Sequence, residues 1–248
     1  MRLLTLIMNM ALITAFPIAV SAKEPTVIPG IEMVDVEGGT FLMGLDESEA
    51  EHLFETPKHE VTLSDFRIGK YEVTQDLWEA VMGENPSISK GENLPVENIS
   101  WHDIQVFIKK LNKQTGKKYR LPTEAEWEFT ARGGNRSARY SFIGGDNPDT
   151  TAWSSYNSWM HPHPVGTKMP NELSIYDMGG NVSEWVQDWY GHYSEKTQRN
   201  PHGAKKSDIG KIFRGGSWNV IPDYNNPGCR FVSNPNFKCS SIGFRLAE

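Results

Sequence analysis

The sequence lacks features that mark several common classes of protein. Only two of its 248 residues are cysteines, Cys229 and Cys239, and their spacing fits neither a C-x-x-C redox motif nor a zinc knuckle. The chain has no run of basic residues and its net charge is −6, so it lacks the positive surface that binding to nucleic acid requires. We therefore expect no nucleic-acid partner.

Long apolar runs are also scarce, and the one that matters lies at the N-terminus. Residues 3–19 are almost wholly apolar, Arg2 precedes them, and residues 20–22 are small enough for a cleavage site. This pattern predicts a signal peptide over residues 1–22 and a polar leader over 23–30. The alternative is an uncleaved anchor, but the run is shorter than a spanning helix. We expect a periplasmic or secreted protein, a monomer without a stable membrane anchor.

The cysteines allow two interpretations in an oxidising compartment. A disulfide between Cys229 and Cys239 would close a loop of about ten residues and contribute about 2–3 kcal/mol. The alternative is a pair of inert thiols.

Glycine and proline, in contrast, are abundant at 22 and 15 residues, which favours turns over long helices. Alternating patterns predict two strands in 31–44, a strand pair in 59–73 and closing strands in 211–219 and 241–247. Capping signals predict three helices, which follow Thr74, Ser100 and Thr123. Short helices among short strands and long loops predict one α+β domain over residues 31–248.

The stretch 173–189 stands out because a glycine turn lies among carboxylates. Gly179 and Gly180 permit close backbone approach, and Asp177, Glu184 and Asp188 are interleaved with apolar residues. Carboxylate and carbonyl oxygens around a tight turn are what calcium prefers. The alternative is a buried turn whose carboxylates accept backbone hydrogen bonds.

Motifs in a fixed order make the chain resemble the formylglycine-generating enzyme family, also called sulfatase-modifying factors. The segments that carry the resemblance are 38–44 (GGTFLMG), 71–74 (YEVT), 95–101 (PVENISW), 120–128 (RLPTEAEWE), 163–166 (HPVG), 176–185 (YDMGGNVSEW), 214–218 (RGGSW) and 243–246 (GFRL). They span nearly the whole mature chain. The resemblance implies one compact domain of C-type-lectin-like topology, poor in regular structure.

The resemblance also implies which residues bind calcium. The positions that match the family's calcium ligands are Asp177, Gly180, Val182 and Glu184. A second family site would fall at Asn157 and Trp159. We therefore expect calcium as a structural cofactor.

At the catalytic positions this sequence departs from the family. Members that oxidise a substrate cysteine to formylglycine bind copper(I) with two cysteines, and soft thiolates suit that ion. The matching positions here are Pro222 and Pro227, and residues 220–228 contain no cysteine. Copper is therefore not expected, unless Cys229 and Cys239 serve in a rebuilt loop.

A second branch of the superfamily uses an iron-binding His-x-x-x-His-x-Glu pattern, which is absent from this sequence. His161 and His163 are spaced as a metal pair could be, but no third ligand is near them. The alternative is a surface loop whose histidines bind no metal.

Three functions are considered, and the two missing cysteines count heavily against the third. The first is an exported accessory or maturation factor that acts on a periplasmic protein or a small molecule. The second is a lectin-like binding module, and the third is a formylglycine-generating oxidase. The candidate catalytic residues are Arg230, His163, Trp218 and Asn219. We expect a deep pocket that holds Arg230 and a histidine in a catalyst, and an aromatic-lined groove without titratable groups in a binding protein. The residues that could line either one are Trp153, Tyr156, His163, Trp218, Asn219, Arg230 and Asn234.

Overall fold

The computed structural model describes residues 28–50 and 52–248. The predicted signal peptide, 1–22, lies outside this part of the chain, as does most of the predicted leader, 23–30. The strands are β1 (Met33–Val36), β2 (Thr40–Met43), β3 (His59–Thr62), β4 (Phe66–Gly69), β5 (Ser183–Trp189), β6 (Gln198–Arg199), β7 (Lys211–Arg214), β8 (Arg230–Ser233) and β9 (Ile242–Gly243). The helices are α1 (Gln75–Met82), α2 (Trp101–Thr115), α3 (Glu124–Ala131) and the short α4 (Pro148–Thr151). Short helices and several small sheets confirm the predicted α+β class.

The three predicted helices are confirmed, and each begins at a side-chain cap. Thr74, Ser100 and Thr123 each accept a hydrogen bond from a backbone N–H in the first turn, which satisfies a donor that the helix leaves open. Helices α1 and α2 end at Gly83 and Gly116, whose φ angles of 91° and 72° suit glycine best. Across the described ranges, no helix is both long and apolar enough to cross a membrane.

The strand pairing in the first half of the chain differs from a simple pair of hairpins. Strand β1 pairs with β4, and β2 pairs with β3, both antiparallel. The turns between the strands pack against each other, because a Cβ atom at Gly38 would lie 2.4 Å from the carbonyl oxygen of Leu63. The Gly38 N–H also donates to Asp65 Oδ1 at 2.8 Å. The two predicted strand pairs therefore pair with each other and not internally.

A four-stranded sheet occupies the centre of the molecule, in the order β8-β7-β5-β9. Strand β7 is antiparallel to β5 and β8, and β9 is parallel to β5. In this register Glu184 on β5 lies opposite Arg214 on β7, which lies opposite Arg230 on β8. The sequence predicted a glycine turn among carboxylates where β5 begins, and it did not predict β5 or β8 as strands. The sheet places charged side chains in the protein interior.

Apolar packing encloses this sheet on both sides. One cluster joins Trp127 and Phe129 of α3 to the strands of the first half of the chain. The other joins α1 and α2 to the end of the chain, and in it Trp78 stacks on Phe107 with ring centroids 5.0 Å apart. Phe244 meets both rings edge-on. The central motif is therefore held between two cores.

Candidate functional site

The central stretch, residues 173–189, folds as a tight turn followed by strand β5. The backbone at Asp177, Gly180 and Asn181 has positive φ angles of 55°, 77° and 54°. A Cβ atom at Gly180 would lie 2.2 Å from the carbonyl oxygen of Trp153, so a larger residue does not fit. The Asn181 N–H donates to the same carbonyl at 2.9 Å. The turn is therefore fixed against the segment that contains Trp153.

Glu184, at the start of β5, accepts hydrogen bonds from two buried side chains. Its Oε1 accepts from Arg245 Nε at 2.9 Å and Nη2 at 2.6 Å, and its Oε2 accepts from Arg245 Nε at 2.7 Å and Trp127 Nε1 at 2.7 Å. Arg245 also donates to the carbonyls of Gly69 and Tyr176, each at 2.9 Å. This ion pair ties the central turn to α3 and to the end of the chain.

The residues predicted to bind calcium are Asp177, Gly180, Val182 and Glu184. A carboxylate offers about four lone-pair positions, and both oxygens of Glu184 already face N–H donors of Arg245 and Trp127. The Glu184 side chain does not fit a calcium ligand in this arrangement, because a guanidinium takes the place of the cation. No cluster of three or more metal-ligating His, Cys, Asp or Glu side chains occurs within 28–50 and 52–248. Calcium at this turn stays a prediction, and it requires Glu184 to leave Arg245.

Two further carboxylates are buried beside the turn. Glu72 accepts hydrogen bonds from Asn181 Nδ2 at 2.7 Å and from the Val182 N–H at 3.0 Å. Asp177 Oδ2 accepts from the Gly166 N–H at 2.6 Å. Burial raises the pKa of Glu72 well above its usual range and the pKa of Asp177 to about 6, and nearby carboxylates act in the same direction. These carboxylates organise backbone from separate segments of the chain.

The positions predicted for a second calcium ion lie on a surface turn. Asn157 closes this turn, since its Oδ1 accepts from the Ser154 N–H at 2.9 Å and its Nδ2 donates to the Ala152 carbonyl at 3.0 Å. Trp159 lies at the tip and is 77% exposed. The second calcium site stays a prediction, and in this structure the Asn157 amide already has hydrogen-bond partners within the turn.

Pro222 and Pro227, which the resemblance matches to the family's copper ligands, lie on the loop between β7 and β8. Pro222 begins a short 3-10 turn, Pro222–Asn225. The carbonyl of Pro227 accepts a hydrogen bond from Arg214 Nη2 at 3.0 Å. Each position thus serves the backbone of the loop, and neither side chain can ligate a metal.

Cys229 and Cys239 are thiols in this structure, which is the second of the two interpretations that the sequence left open, and the disulfide stays a prediction. Cys229 is buried, with its Sγ 3.8 Å from the Asp223 carbonyl oxygen. The Sγ of Cys239 lies 3.1 Å from Ser241 Oγ, and its carbonyl accepts from the Asn98 N–H at 2.9 Å. The two thiols face different neighbours, so the loop between them is not closed by a covalent bond.

Arg230, a predicted catalytic candidate, is instead part of a buried ionic cluster. Its Nε and Nη2 donate to the two oxygens of Glu124 at 2.7 and 2.8 Å, and its guanidinium lies 3.9 Å from the ring centroid of Tyr193. Arg214 pairs with Glu128 next to it. Arg230 is 2% exposed, and it lines neither the cleft beside β2 nor the smaller one beside His202. Its place in the structure is that of a core ion pair.

His163, the next candidate, is packed under an aromatic ring. Its imidazole stacks on Trp153 with ring centroids 3.6 Å apart, and its Nε2 lies 2.9 Å from the Ser158 carbonyl oxygen. Its backbone N–H donates to Asn181 Oδ1 at 2.9 Å. Burial lowers the pKa of His163, which favours the neutral ring. His163 therefore supports Trp153.

Trp218 and Asn219 form the other side of the same surface. Trp218 Nε1 donates to the Ser240 carbonyl at 3.0 Å, and its backbone N–H donates to the Asn181 carbonyl at 2.8 Å. Asn219 is exposed and its Oδ1 accepts from Ser217 Oγ at 2.7 Å. Asn181 thus holds the Trp153 segment and the Trp218 segment together.

Around this support lies a patch that we call the aromatic surface: Trp153, Tyr156, Trp159, Met160, His161 and Lys168. Tyr156, Trp159 and Met160 are 73%, 77% and 61% exposed. The ring centroid of Trp159 lies 6.5 Å from that of Trp153, and Lys168 Nζ lies 4.0 Å from the Trp153 centroid. The surface is aromatic, as expected of a binding protein, but Lys168 and His161 give it titratable groups that this expectation excluded.

Trp153, Tyr156, Trp159 and His163 were candidates from the sequence, but the residues that position the surface or give it charge were not. Lys168 lies fifteen positions after Trp153 in a loop without periodicity, so no pattern connects the two residues. Asn181 lies within a family motif, directly after two glycines. Because asparagine tolerates a positive φ angle, this position could have been predicted as part of the turn.

A separate cleft of about 930 Å³ lies on the face of the molecule formed by β2 and the end of α3. Aromatic residues in its lining include Phe41, Tyr140 and Phe142, and Pro227 lies at one edge. Its volume suits a ligand. None of the residues predicted to bind calcium or to act in catalysis lines it.

Comparison with known proteins gives consistent matches. A model of the sulfatase-modifying factor enzyme 1-like domain matches residues 19–248. The chaperone protein LppX of Paenibacillus barcinonensis is 35% identical over 237 residues, which cover 75% of this chain and 78% of the relative. The formylglycine-generating enzyme of Streptomyces coelicolor is 31% identical over 190 residues, which cover 69% of this chain and 58% of the enzyme.

Two solved structures are similar over most of their length. Variable protein 1 of Treponema denticola has a TM-score of 0.80 and 30% identity, with 87% of this chain and 94% of that chain covered. PvdO from Pseudomonas aeruginosa has a TM-score of 0.74 and 28% identity, with coverage of 91% and 99%. These likenesses confirm the C-type-lectin-like fold that the motif order implied.

Proposed function

This chain belongs to the sulfatase-modifying factor family, and on that premise we propose that it is an accessory factor that binds an exported client protein without making formylglycine. The observation that carries the proposal is the loop between β7 and β8. There Pro222 and Pro227 occupy the positions at which family oxidases hold copper(I), and the Pro227 carbonyl is tied to Arg214. Binding therefore remains as the role that the site supports best.

The cysteines that follow give little support to a displaced copper site. Cys229 is 3% exposed and faces a backbone carbonyl, while Cys239 lies beside Ser241. Two thiolates in one coordination sphere are needed to hold copper(I) as the family does. Formylglycine synthesis would require the loop to be rebuilt.

Support for a client-binding role comes from the relatives and from the surface. A relative that is 35% identical bears the name chaperone protein LppX. The aromatic surface of this chain leaves three large apolar side chains more than half exposed within five residues. Exposed apolar patches of this kind mark binding sites more often than chance surface.

The first experiment tests the chemistry. The purified chain is loaded with copper(I) under reducing conditions and incubated with oxygen and a synthetic peptide that carries a sulfatase-type cysteine. Mass spectrometry should detect no formylglycine, and copper should not bind at one ion per chain. A Pro222→Cys, Pro227→Cys double variant is the matched control, and we expect it to gain copper(I). Formylglycine formation that disappears in Cys229→Ser would overturn the proposal.

The second experiment tests client binding. Light scattering follows the aggregation of a heat-unfolded model protein with and without the chain, and we expect suppression at comparable molar amounts. The native form of the same protein should not bind. A chain that leaves aggregation unchanged is not an accessory factor of this kind.

A non-catalytic lectin-like binding module is the second candidate, and the exposed Trp159 favours it. Such a module recognises a folded partner or a glycan, so it would bind the native partner and would not suppress aggregation. The aggregation experiment therefore separates the two candidates, because only the accessory factor should suppress aggregation.

Export and calcium are part of the proposal as well. We expect the mature protein in the extracellular or periplasmic fraction, with Lys23 at its N-terminus. Metal analysis of that protein should find calcium if the turn at Asp177 opens to an ion. If the mature chain contains no calcium after dialysis against a calcium-containing buffer, calcium is removed from the proposal.

A further inference from the structure

Three features of the aromatic surface narrow the kind of segment it can bind. The first is the identity of its exposed side chains. Tyr156, Trp159 and Met160 expose most of their apolar area, and tyrosine, tryptophan and methionine are the types enriched where proteins bind one another. Such side chains usually supply a few contacts that dominate the binding energy.

The second feature is that the backbone presents these side chains in a fixed conformation. Trp159 and Met160 have φ angles of 52° and 61°, a left-handed conformation that costs side-chain-bearing residues about 1 kcal/mol or more each. Hydrogen bonds hold them there, because Ser158 Oγ donates to the Trp218 carbonyl at 2.6 Å and accepts from the Met160 N–H at 3.1 Å. Strain of this kind concentrates at functional sites.

The third feature is charge. Lys168 Nζ lies 4.0 Å from the centroid of Trp153, and His161 lies beside His163 with ring centroids 4.5 Å apart. The Asp149 carboxylate interacts electrostatically with Lys168 and accepts a hydrogen bond from the Asn157 amide at 3.3 Å. Lys168 itself donates to the Asp149 carbonyl and belongs to none of the salt bridges found in the described part of the chain. The surface thus carries a basic group on a protein whose net charge is −6.

These features select an occupant with apolar and acidic groups. Nucleic acid is also acidic, but it needs a row of basic side chains along its phosphates, and this surface has a single lysine. A carboxylate that approaches Lys168 would pair with a cation that is already partly removed from water, where the attraction is stronger than in bulk solvent.

We propose that the aromatic surface binds an extended polypeptide segment in which carboxylate side chains alternate with aromatic or large aliphatic ones. Trp159, Tyr156 and Met160 contact the apolar side chains, and Lys168 pairs with a carboxylate. This assignment rests on the proposed client-binding function and names the chemistry of the client.

The test uses two synthetic peptides of equal length, one in which Glu alternates with Trp and Leu, and a twin with Gln in place of Glu. Titration calorimetry with the full mature chain should show the Glu peptide binding about threefold to tenfold more tightly, a gap that closes at high salt. Lys168→Gln should remove the preference for Glu. Trp159→Ala should weaken binding of both peptides about tenfold or more, as expected for an aromatic anchor.

Matched controls separate the surface from the protein as a whole. Phe237→Ala removes an aromatic ring that is 44% exposed elsewhere, and Lys196→Gln removes an exposed lysine; both should bind as the unaltered chain does. Thermal unfolding confirms that each variant is folded.

The outcomes test the assignment of the aromatic surface separately from the proposed client-binding function. Equal binding of the two peptides, or unchanged binding by Trp159→Ala and Lys168→Gln, overturns the surface assignment while suppression of aggregation still supports a client-binding role. Failure to bind either peptide combined with failure to suppress aggregation overturns both.

Discussion

The buried ionic centre and the aromatic surface both contact the central stretch, residues 173–189, but they place their polar and apolar groups in opposite ways. In the centre, Arg245, Arg214 and Arg230 are at most 2% exposed and each pairs with a glutamate. At the surface, Trp159 and Tyr156 are more than 70% exposed. Charged groups are inside and aromatic groups outside, the reverse of the usual distribution.

The difference shows where function is to be sought. Every guanidinium nitrogen of Arg245 and Arg230 donates a hydrogen bond within the protein, and Arg214 donates from both of its Nη atoms. The ionic centre therefore supports the fold. An exposed tryptophan held by strained backbone contributes little to stability and is available to a partner. Four variants, in decreasing order of expected effect on stability, test this division.

The largest effect should follow from Arg245→Ala. The change leaves Glu184 buried without its cation, and breaking a buried ion pair in this way costs about 3–5 kcal/mol. Chemical denaturation measures the loss as a shift of the midpoint. Lys58→Ala is the control, because Lys58 pairs with Asp46 at the surface, and exposed pairs contribute about 0–1 kcal/mol. Equal losses in the two variants would contradict a structural role for the ionic centre.

Asn181→Ala should come second, because Asn181 connects the two regions. Its amide bonds to Glu72 and to the backbone of His163. An unpartnered buried group costs about 1–3 kcal/mol, and alanine is less tolerant of a φ of 54° than asparagine. We expect a loss of about 2–3 kcal/mol with a change in tryptophan fluorescence. Asn234→Ala, at an exposed position, is the control. If Asn181→Ala loses no more stability than this control, Asn181 does not connect the two regions.

The stability of the fold should depend on pH because of the buried carboxylates around the ionic centre. Burial, with Glu124 nearby, raises the pKa of Asp188 to about 8. The folded state therefore holds a proton that the unfolded state has released above about pH 4, and stability falls as pH rises from about 4 to 8. Asp188→Asn, which can still accept from the Glu124 N–H, should reduce that fall by more than about 1 kcal/mol. Asp208→Asn, at an exposed position, should not change the slope, and the prediction is wrong if both variants keep it.

Local patterns in the sequence predicted the helices because their signals are local. Thr74, Ser100 and Thr123 act through residues in the same turn, so the caps are visible without knowledge of the fold. The motif order likewise identified the family and hence the C-type-lectin-like topology.

The ionic partners and the surface could not be predicted in the same way. Glu184 meets Arg245 only because β5 and the end of the chain lie side by side, 61 positions apart in sequence. A resemblance that placed Glu184 near calcium gave no information about its pairing with Arg245. Lys168 contacts Trp153 because the loop between them is held at His163 by Asn181. No periodic pattern in the sequence predicts this contact.

Trp159→Ala should have the smallest effect on stability and the largest on binding. The side chain is 77% exposed, and substitutions at such positions usually change stability by no more than about 0.5 kcal/mol. Trp159→Gly removes the same ring and also relieves the left-handed strain, so it should be at least as stable as Trp159→Ala. Thermal unfolding compares the two variants, and the peptide titration should show the same loss of binding in both. A large loss of stability in Trp159→Ala would mean that this ring supports the fold. It would contradict the distinction between a structural centre and a binding surface.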